Sequence, residues 1–324
     1  MRIEDSRQYE GLLFVGDPHL ASRVPGFRKD DYPRVALEKL LWVMEYARDE
    51  KLKPALLGDL FEFPQANANW LMSELLAGFR GTRSIAIYGN HDCAGNQLDE
   101  NDSLTVLSQG DLRLLKPEDI WVGEINGQTV CIGGTSWGRK LPSDLEFLGD
   151  SIPQDSLVFW MTHHDVMPEE DNVFGKIQPH EIPGIAAIIN GHIHKRQEIV
   201  RHGETTWITP GNITRTKRSD AIRQHVPSVL RIHIKDGKWE PEWVEVPHKP
   251  FEEVFHEAIV EQGAGEDLSQ FVKGLGEVRA RRTESAAGLE AFLVENIKKY
   301  EEPVQKEILS LFEEVKEGEL QTQD

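Results

Sequence analysis

The chain has 324 residues, of which 39% are hydrophobic and 28% charged, the balance of a globular protein with room for one large domain and an appendage. Its formal net charge of -19 argues against nucleic acid wrapped over the whole surface, while leaving room for a local basic patch. No apolar run approaches the roughly 18 residues of a membrane helix, the polar N-terminus is not a signal peptide, and two cysteines without motif spacing, Cys93 and Cys131, fit a reduced, cytoplasmic compartment.

Residues 11–16 read as a buried strand of the parallel type. A loop carrying Arg23, Arg28 and Lys29 leads to a helix over 33–50, where Pro33 suits the first turn and Leu37, Leu40, Leu41 and Met44 recur at helical spacing. A strand at 54–57, a helix at about 66–80 and a strand at 84–88 complete a β-α-β-α-β run, the pattern of a layered α/β domain. A helix over 101–109 is expected to be capped by Asn101 or Asp102. Strands near 119–123 and 128–132 join at Asn126-Gly127, and strands at 229–234 and 239–244 join at Asp236-Gly237, both hairpin dipeptides. The apolar runs 156–162 and 184–190 lie between these hairpins. Composition shifts near Pro247, which places a first domain at 1–248 and a C-terminal region at 249–324. That region carries about half of the net negative charge, a linker or surface loop at 263–267, and two helical patterns over 286–317 separated by Glu302-Pro303.

Five apolar runs end in polar turns: Gly16-Asp17-Pro18-His19, Gly58-Asp59, Gly89-Asn90-His91-Asp92, Thr162-His163-His164-Asp165 and Gly191-His192-Ile193-His194. Polar side chains at buried strand ends are costly unless something binds there. Together they offer Asp17, His19, Asp59, Asn90, His163, His192 and His194, too many ligands for one ion. The set fits two ions bridged by Asp59, one taking Asp17, His19 and His194, the other Asn90, His163 and His192. In the His163-His164 pair one ligand suffices, and His163 is favoured. Imidazole mixed with carboxylate suits Mn²⁺, Fe²⁺ or Zn²⁺ better than Mg²⁺ or Ca²⁺. Two ions about 3.5–4 Å apart clamp an in-line displacement at phosphorus, with a bridging hydroxide as nucleophile. His91, beside Asn90, is then the residue to protonate the leaving oxygen or steady the pentacovalent phosphorus, with Asp92 orienting it. Cys93 reads as packing.

These motifs resemble the calcineurin-like metallophosphoesterase superfamily over about residues 11–246. The resemblance implies an α/β fold, a four-layer α/β/β/α sandwich with a two-metal site at its strand ends, to which the helical patterns over 286–317 add a small, mostly helical C-terminal extension. Gly58-Asp59-Leu60-Phe61, Gly89-Asn90-His91-Asp92, Gly191-His192-Ile193-His194-Lys195 followed by Gln197, and Pro210-Gly211-Asn212-Ile213-Thr214-Arg215 are similar to the SbcD-type nucleases, the bacterial and phage branch of the meiotic-recombination-eleven family. This narrower resemblance implies a Mn²⁺-dependent DNA exonuclease and endonuclease for end processing, recombination or repair. It implies a homodimer with an SMC-like ATPase of the SbcC type docked on C-terminal helices, here 286–317. Glu62 departs from the histidine that several members carry, and Asn212 from a common serine. Expected phosphate contacts are Arg23, Lys195, Arg196 and Arg215, with Arg28, Lys29, Arg139, Lys140, Lys217 and Arg218 as further cations. No aromatic is clearly paired with them, which points to backbone rather than base recognition. The alternative is a metallophosphoesterase of small substrates, a nucleotide phosphodiesterase or a phosphatase, which the acidic composition favours. A scaffold without activity on the same fold is disfavoured by the full ligand set.

Overall fold

Strands that are apolar on both faces need cover on both faces, and that requirement sets the layering. The computed structural model describes residues 2–256 other than 26, 168–176, 217 and 219. In chain order the first half holds β1 (Arg2–Tyr9), β2 (Gly11–Val15), α1 (Tyr32–Asp49), β3 (Leu52–Leu56), α2 (Asn69–Phe79), β4 (Ser84–Ala86), α3 (Ser103–Leu107) and β5 (Leu112–Leu114). The second half holds β6 (Ile120–Ile125), β7 (Gln128–Thr135), β8 (Leu157–Thr162), β9 (Ala187–Asn190), β10 (Val200–His202), β11 (Thr205–Ile208), α4 (Asp220–Arg223), β12 (Ser228–Lys235), β13 (Lys238–Glu245) and α5 (Phe251–Val254). They form two mixed sheets, ordered β13-β12-β2-β3-β4-β5 and β1-β6-β7-β8-β9-β11-β10. This is the expected α/β sandwich.

The sheets face each other across one apolar core, where Leu12, Phe14, Ala55 and Ile85 meet Ile132, Phe159, Met161 and Ile189. The alternate residues Leu13, Val15 and Leu56 pack instead with Leu40, Val43 and Met44 of α1 and Leu71 and Leu75 of α2. Outside the other sheet, Val158, Trp160 and Ile188 are covered by Leu148 in a short 3₁₀ turn, Glu146–Ser151, and by Ile182 and Ile185. Among the described residues that outer layer is thin. No helix among them is long and apolar enough to cross a membrane.

Both hairpin dipeptides form tight turns, with φ of 50° and 79° at Asn126-Gly127 and 51° and 72° at Asp236-Gly237. Neither β1 nor β5 is expected from the sequence. β1 is polar along most of its length and pairs in parallel with β6 at a sheet edge, with an irregularity between Glu4 and Gln8. β5 is only three residues long. α2 starts at Asn69, later than periodicity suggested. Asp102 does stand at the N-cap of α3, but its carboxylate takes the Asp99 N–H and the Gln65 amide instead of the helix's own N–H groups. Phe251, Val254 and Phe255 pack with Phe27 and Ile222, within the compact unit Met1–Glu257. The expected loop at 263–267 and helices at 286–317 lie outside the described residues.

A buried ion pair ties β1 to β3. Lys53 Nζ lies 3.3 Å from Asp5 Oδ2, donates to the Arg83 carbonyl at 2.6 Å and sits 4.8 Å from the centre of the Trp121 ring. Burial pulls the Lys53 amine down to about 8, and Asp5 opposes that pull. Asp5 resists the upward pull of its own burial through Tyr9 and Lys53 and is held at about 2. Lys53→Ala leaves a buried carboxylate short of a cation and is expected to cost about 3 kcal/mol. Urea unfolding measures this as a lower midpoint at unchanged slope; an unchanged midpoint would show that Arg83 alone neutralises Asp5.

Candidate metal centre

Every ligand-bearing turn lies just beyond the carboxyl end of a strand: β2, β3 and β4 in one sheet, β8 and β9 in the other. The chain there is forced into conformations that ordinary residues avoid. Asp17, His19, Asp59 and His192 have φ of 37°, 47°, 48° and 69°. Left-handed backbone at non-glycine residues costs energy and concentrates at functional sites. The first two turns are zipped together, with His19 N–H donating to Asp59 O at 3.0 Å, Leu20 N–H to Leu60 O at 2.8 Å and Glu62 N–H to Leu20 O at 2.8 Å. Glycine is required where the turns crowd: a Cβ on Gly89 would stand 2.1 Å from Asp59 Oδ1.

Asp59 lies between two groups of ligand atoms. One holds His19 and His91, the other His163 and His192, and Asp59 belongs to both. Its Oδ2 is 3.2 Å from His163 Nε2 and 3.7 Å from His19 Nε2, while its Oδ1 accepts the His91 backbone N–H at 2.8 Å. Asn90 Oδ1 closes the second group, 3.3 Å from His163 Nε2 and 3.0 Å from His192 Nδ1. On the first side His19 Nε2 and His194 Nε2 face each other at 2.8 Å. Asp17 accepts the His192 backbone N–H through Oδ1 at 3.1 Å, and its buried Oδ2 has no partner. Burial alone would raise the Asp59 carboxyl, but His163, His19 and His91 outweigh it and hold the group well below the carboxylate range. Burial and the Asp59 charge push Asp17 up. Asp59 and Asp17 overcome burial at His163 and lift it to about 9. The cluster therefore favours positive charge at its centre.

The two neighbouring histidines separate cleanly. His163 donates Nδ1–H to the Leu57 carbonyl at 2.7 Å, which leaves Nε2 toward Asp59 and Asn90. His164 donates Nε2–H to the Arg139 carbonyl at 2.7 Å and accepts the Thr162 hydroxyl at Nδ1. Both its nitrogens are used, and burial lowers it to about 4. Asn190 bonds both the N–H and the carbonyl of His164, each at 3.1 Å, locking the ends of β8 and β9.

Three expectations need correction. Asp92 does not orient the His91 ring. Its carboxylate accepts the backbone N–H groups of Phe61 at 3.0 Å and Gly89 at 2.9 Å, and burial together with Asp59 pushes it up to about 7. The His91 ring instead donates Nδ1–H to the Glu62 carbonyl at 2.9 Å, and burial lowers its pKa. Arg215 is not placed to touch substrate: it is buried and spends its guanidinium on the carbonyls of His225 and Lys249. Arg28 is likewise committed, to Asp30 and to the Arg215 carbonyl. Arg23, Lys195, Arg196, Arg139 and Lys140 are exposed, and the Arg196 guanidinium lies 5.1 Å from the centre of the Trp243 ring. Cys93 is buried and donates to the Gly95 carbonyl.

Two neighbours of the centre were not assigned to it from sequence. Glu62 Oε2 lies 2.9 Å from His19 Nδ1. The Trp137 ring lies 5.0 Å from that of His192, at the turn after β7. That turn has the same strand-end pattern as the others, but Thr135-Ser136-Trp137 offers no carboxylate or imidazole, so a count of ligands passes over it.

The donor set fits two divalent ions. It combines imidazole nitrogens, two carboxylates and an amide oxygen, it contains an orphaned buried carboxylate oxygen at Asp17, and His163 is oriented through its other ring nitrogen as metal-binding histidines are. Gly89→Ala is expected to keep the fold and weaken divalent-ion binding at least roughly tenfold, because the added methyl must displace Asp59. Calorimetric titration with Mn²⁺ measures this, and wild-type affinity would show that the turn yields without moving the carboxylate.

The calcineurin-like phosphoesterase profile matches residues 12–196, more than half the chain. No curated protein matches it. Among solved structures, a hypothetical protein from Thermus thermophilus aligns at 13% identity and a TM-score of 0.43, covering 73% of this chain and 99% of that one. A conserved uncharacterised protein of Streptococcus pneumoniae, described as a predicted phosphoesterase, aligns at 13% identity and a TM-score of 0.31, covering 73% and 89%. With the family profile covering strands of both sheets and the clustered ligands at their ends, the chain belongs to the calcineurin-like phosphoesterase family.

Proposed function

We propose that the chain is a two-metal phosphodiesterase whose substrate is DNA, an SbcD-type nuclease subunit in end processing, recombination or repair. The observation that carries the hydrolytic part is the place of Asp59 in both ligand groups. Asp17, His19, Asp59, His194, Asn90, His163 and His192 would hold the ions, and Mn²⁺ is the proposed metal. Bound there, two divalent ions supply Lewis acidity at phosphorus and acidify a water. The residues then have separable tasks. His163 is fixed by the Leu57 carbonyl, so its Nε2 stays inward. Asp92 holds the Gly89 and Phe61 amides, and with them the shape of both turns. His91 has given Nδ1–H to Glu62, so Nε2 is the atom at which it exchanges a proton or a hydrogen bond with the substrate.

DNA as substrate is supported by the motif resemblance and by exposed cations: Arg23, Lys195 and Arg196 on chain that follows ligand motifs, and Arg139 and Lys140 after β7, where the Arg139 carbonyl holds His164. Phosphate contacts of this kind carry no base sequence, so cleavage would be sequence-independent. The proposed partners are a second copy of the chain and an SMC-like ATPase bound by 286–317. A second reading, a phosphoesterase of small substrates, is favoured by one observation: Arg215 and Arg28 are committed to the fold, which leaves fewer cations for a polyanion.

End-labelled linear duplex DNA and bis-p-nitrophenyl phosphate, each with Mn²⁺ and with or without EDTA, separate the two readings. The nuclease reading predicts metal-dependent DNA degradation, alone or on adding the ATPase. Diester hydrolysis with intact DNA under both conditions would favour the small-substrate enzyme. His91→Ala is expected to keep both ions and lower turnover by about 10²- to 10⁴-fold; undiminished turnover would remove its role at the reacting centre. Deleting 286–324 is expected to spare diester hydrolysis and abolish co-purification with the ATPase, and retained association would refute that docking element.

A further inference from the structure

Glu62 reaches two imidazoles at once, through different atoms. Its side-chain Oε2 lies 2.9 Å from His19 Nδ1, within ion-pair distance. Its backbone carbonyl accepts the His91 Nδ1–H at 2.9 Å. The main chain at Glu62 is anchored by its own N–H on Leu20 O, beside the His19–Asp59 and Leu20–Leu60 hydrogen bonds. The two rings it touches meet edge to face, with centres 4.9 Å apart. His19 is buried, whereas the Glu62 side chain is 33% exposed, so the carboxylate forms the outer edge of this side of the centre.

A neutral imidazole has one N–H and one lone pair, and the acceptor at one nitrogen decides what the other presents. At His19 the inward nitrogen is Nε2, 2.8 Å from His194 Nε2 and 3.7 Å from Asp59 Oδ2. We propose that Glu62 is the positioning residue for this side of the centre: its carboxylate turns His19 Nε2 toward an ion, and its carbonyl turns His91 Nε2 toward the substrate. The inference rests on the two-ion reading above. The two roles are separable, because a side-chain substitution removes the first and leaves the second in place. Carboxylates acting behind a metal-binding histidine tune ion affinity more than chemistry.

The test is calorimetric titration of the full chain with Mn²⁺, together with kcat on bis-p-nitrophenyl phosphate as Mn²⁺ is raised, for wild type, Glu62→Ala and Glu62→Gln. Glu62→Ala is expected to weaken one of two sites by roughly 10- to 100-fold while the other is unchanged. Its kcat should return to the wild-type value at saturating Mn²⁺, since His91 keeps its carbonyl. Glu62→Gln, which retains an acceptor oxygen and the side-chain volume, should recover most of the lost affinity. Two wild-type sites in Glu62→Ala would overturn the inference, as would a kcat that stays low at saturating Mn²⁺. Loss of both ions from both variants, with a lowered melting temperature, would mark a structural role instead and overturn it too. A wild-type chain that takes up fewer than two ions would overturn the two-ion reading, and this inference with it.

Discussion

A single buried carboxylate holds the centre together. Asp59 sits at the end of β3 with its backbone in the left-handed region, one oxygen on the His91 amide and the other between His163 and His19. A carboxylate buried this deeply is costly unless positive charge surrounds it. The neighbouring turns are shaped to supply that charge. His163 is held by a carbonyl from β3's own exit, Gly89 leaves its Cβ position empty, and Asp92 fastens the Asn90 turn to the Asp59 turn. Neighbouring carboxylates raise His19 and His163 to about 9 against the pull of burial, a field that divalent ions would satisfy.

The sandwich serves this arrangement by bringing strand ends from two sheets to one place. Asp17, Asp59 and Asn90 come from the six-stranded sheet, His163, His192 and His194 from the seven-stranded one, and the shared apolar core between the sheets fixes their separation. Motion of one sheet against the other would open the centre. The strained turns persist because packing on both sides over-determines them.

Much of this was legible in the sequence, for definite reasons. Buried parallel strands are continuous apolar runs, so 11–16, 84–88 and 156–162 stood out, and the residues that end them are chemically conspicuous. Asn126-Gly127 and Asp236-Gly237 announced their hairpins through a local conformational demand. β1 was not legible because an edge strand buried mainly at Tyr9 needs no apolar pattern, and the Asp5–Lys53 pair that anchors it joins residues 48 positions apart. Two of the three misassigned side chains have a common cause. Asp92 and Arg215 each close a motif, yet a place in a motif does not say which way a side chain turns, and both turn toward backbone groups. Glu62 was visible only as a departure from a family pattern, since its importance depends on His19, far earlier in the chain. Helices at 286–317 rest on periodicity alone.

The central claim is that one carboxylate serves two ions, and Asp59→Asn tests it most directly. The substitution keeps size and one acceptor oxygen while removing the charge. Metal content after loading with Mn²⁺ and gel filtration, read by atomic emission on a variant whose circular dichroism matches wild type, is predicted to fall at both positions together. Two ions retained per chain, or loss of only one, would contradict a shared Asp59.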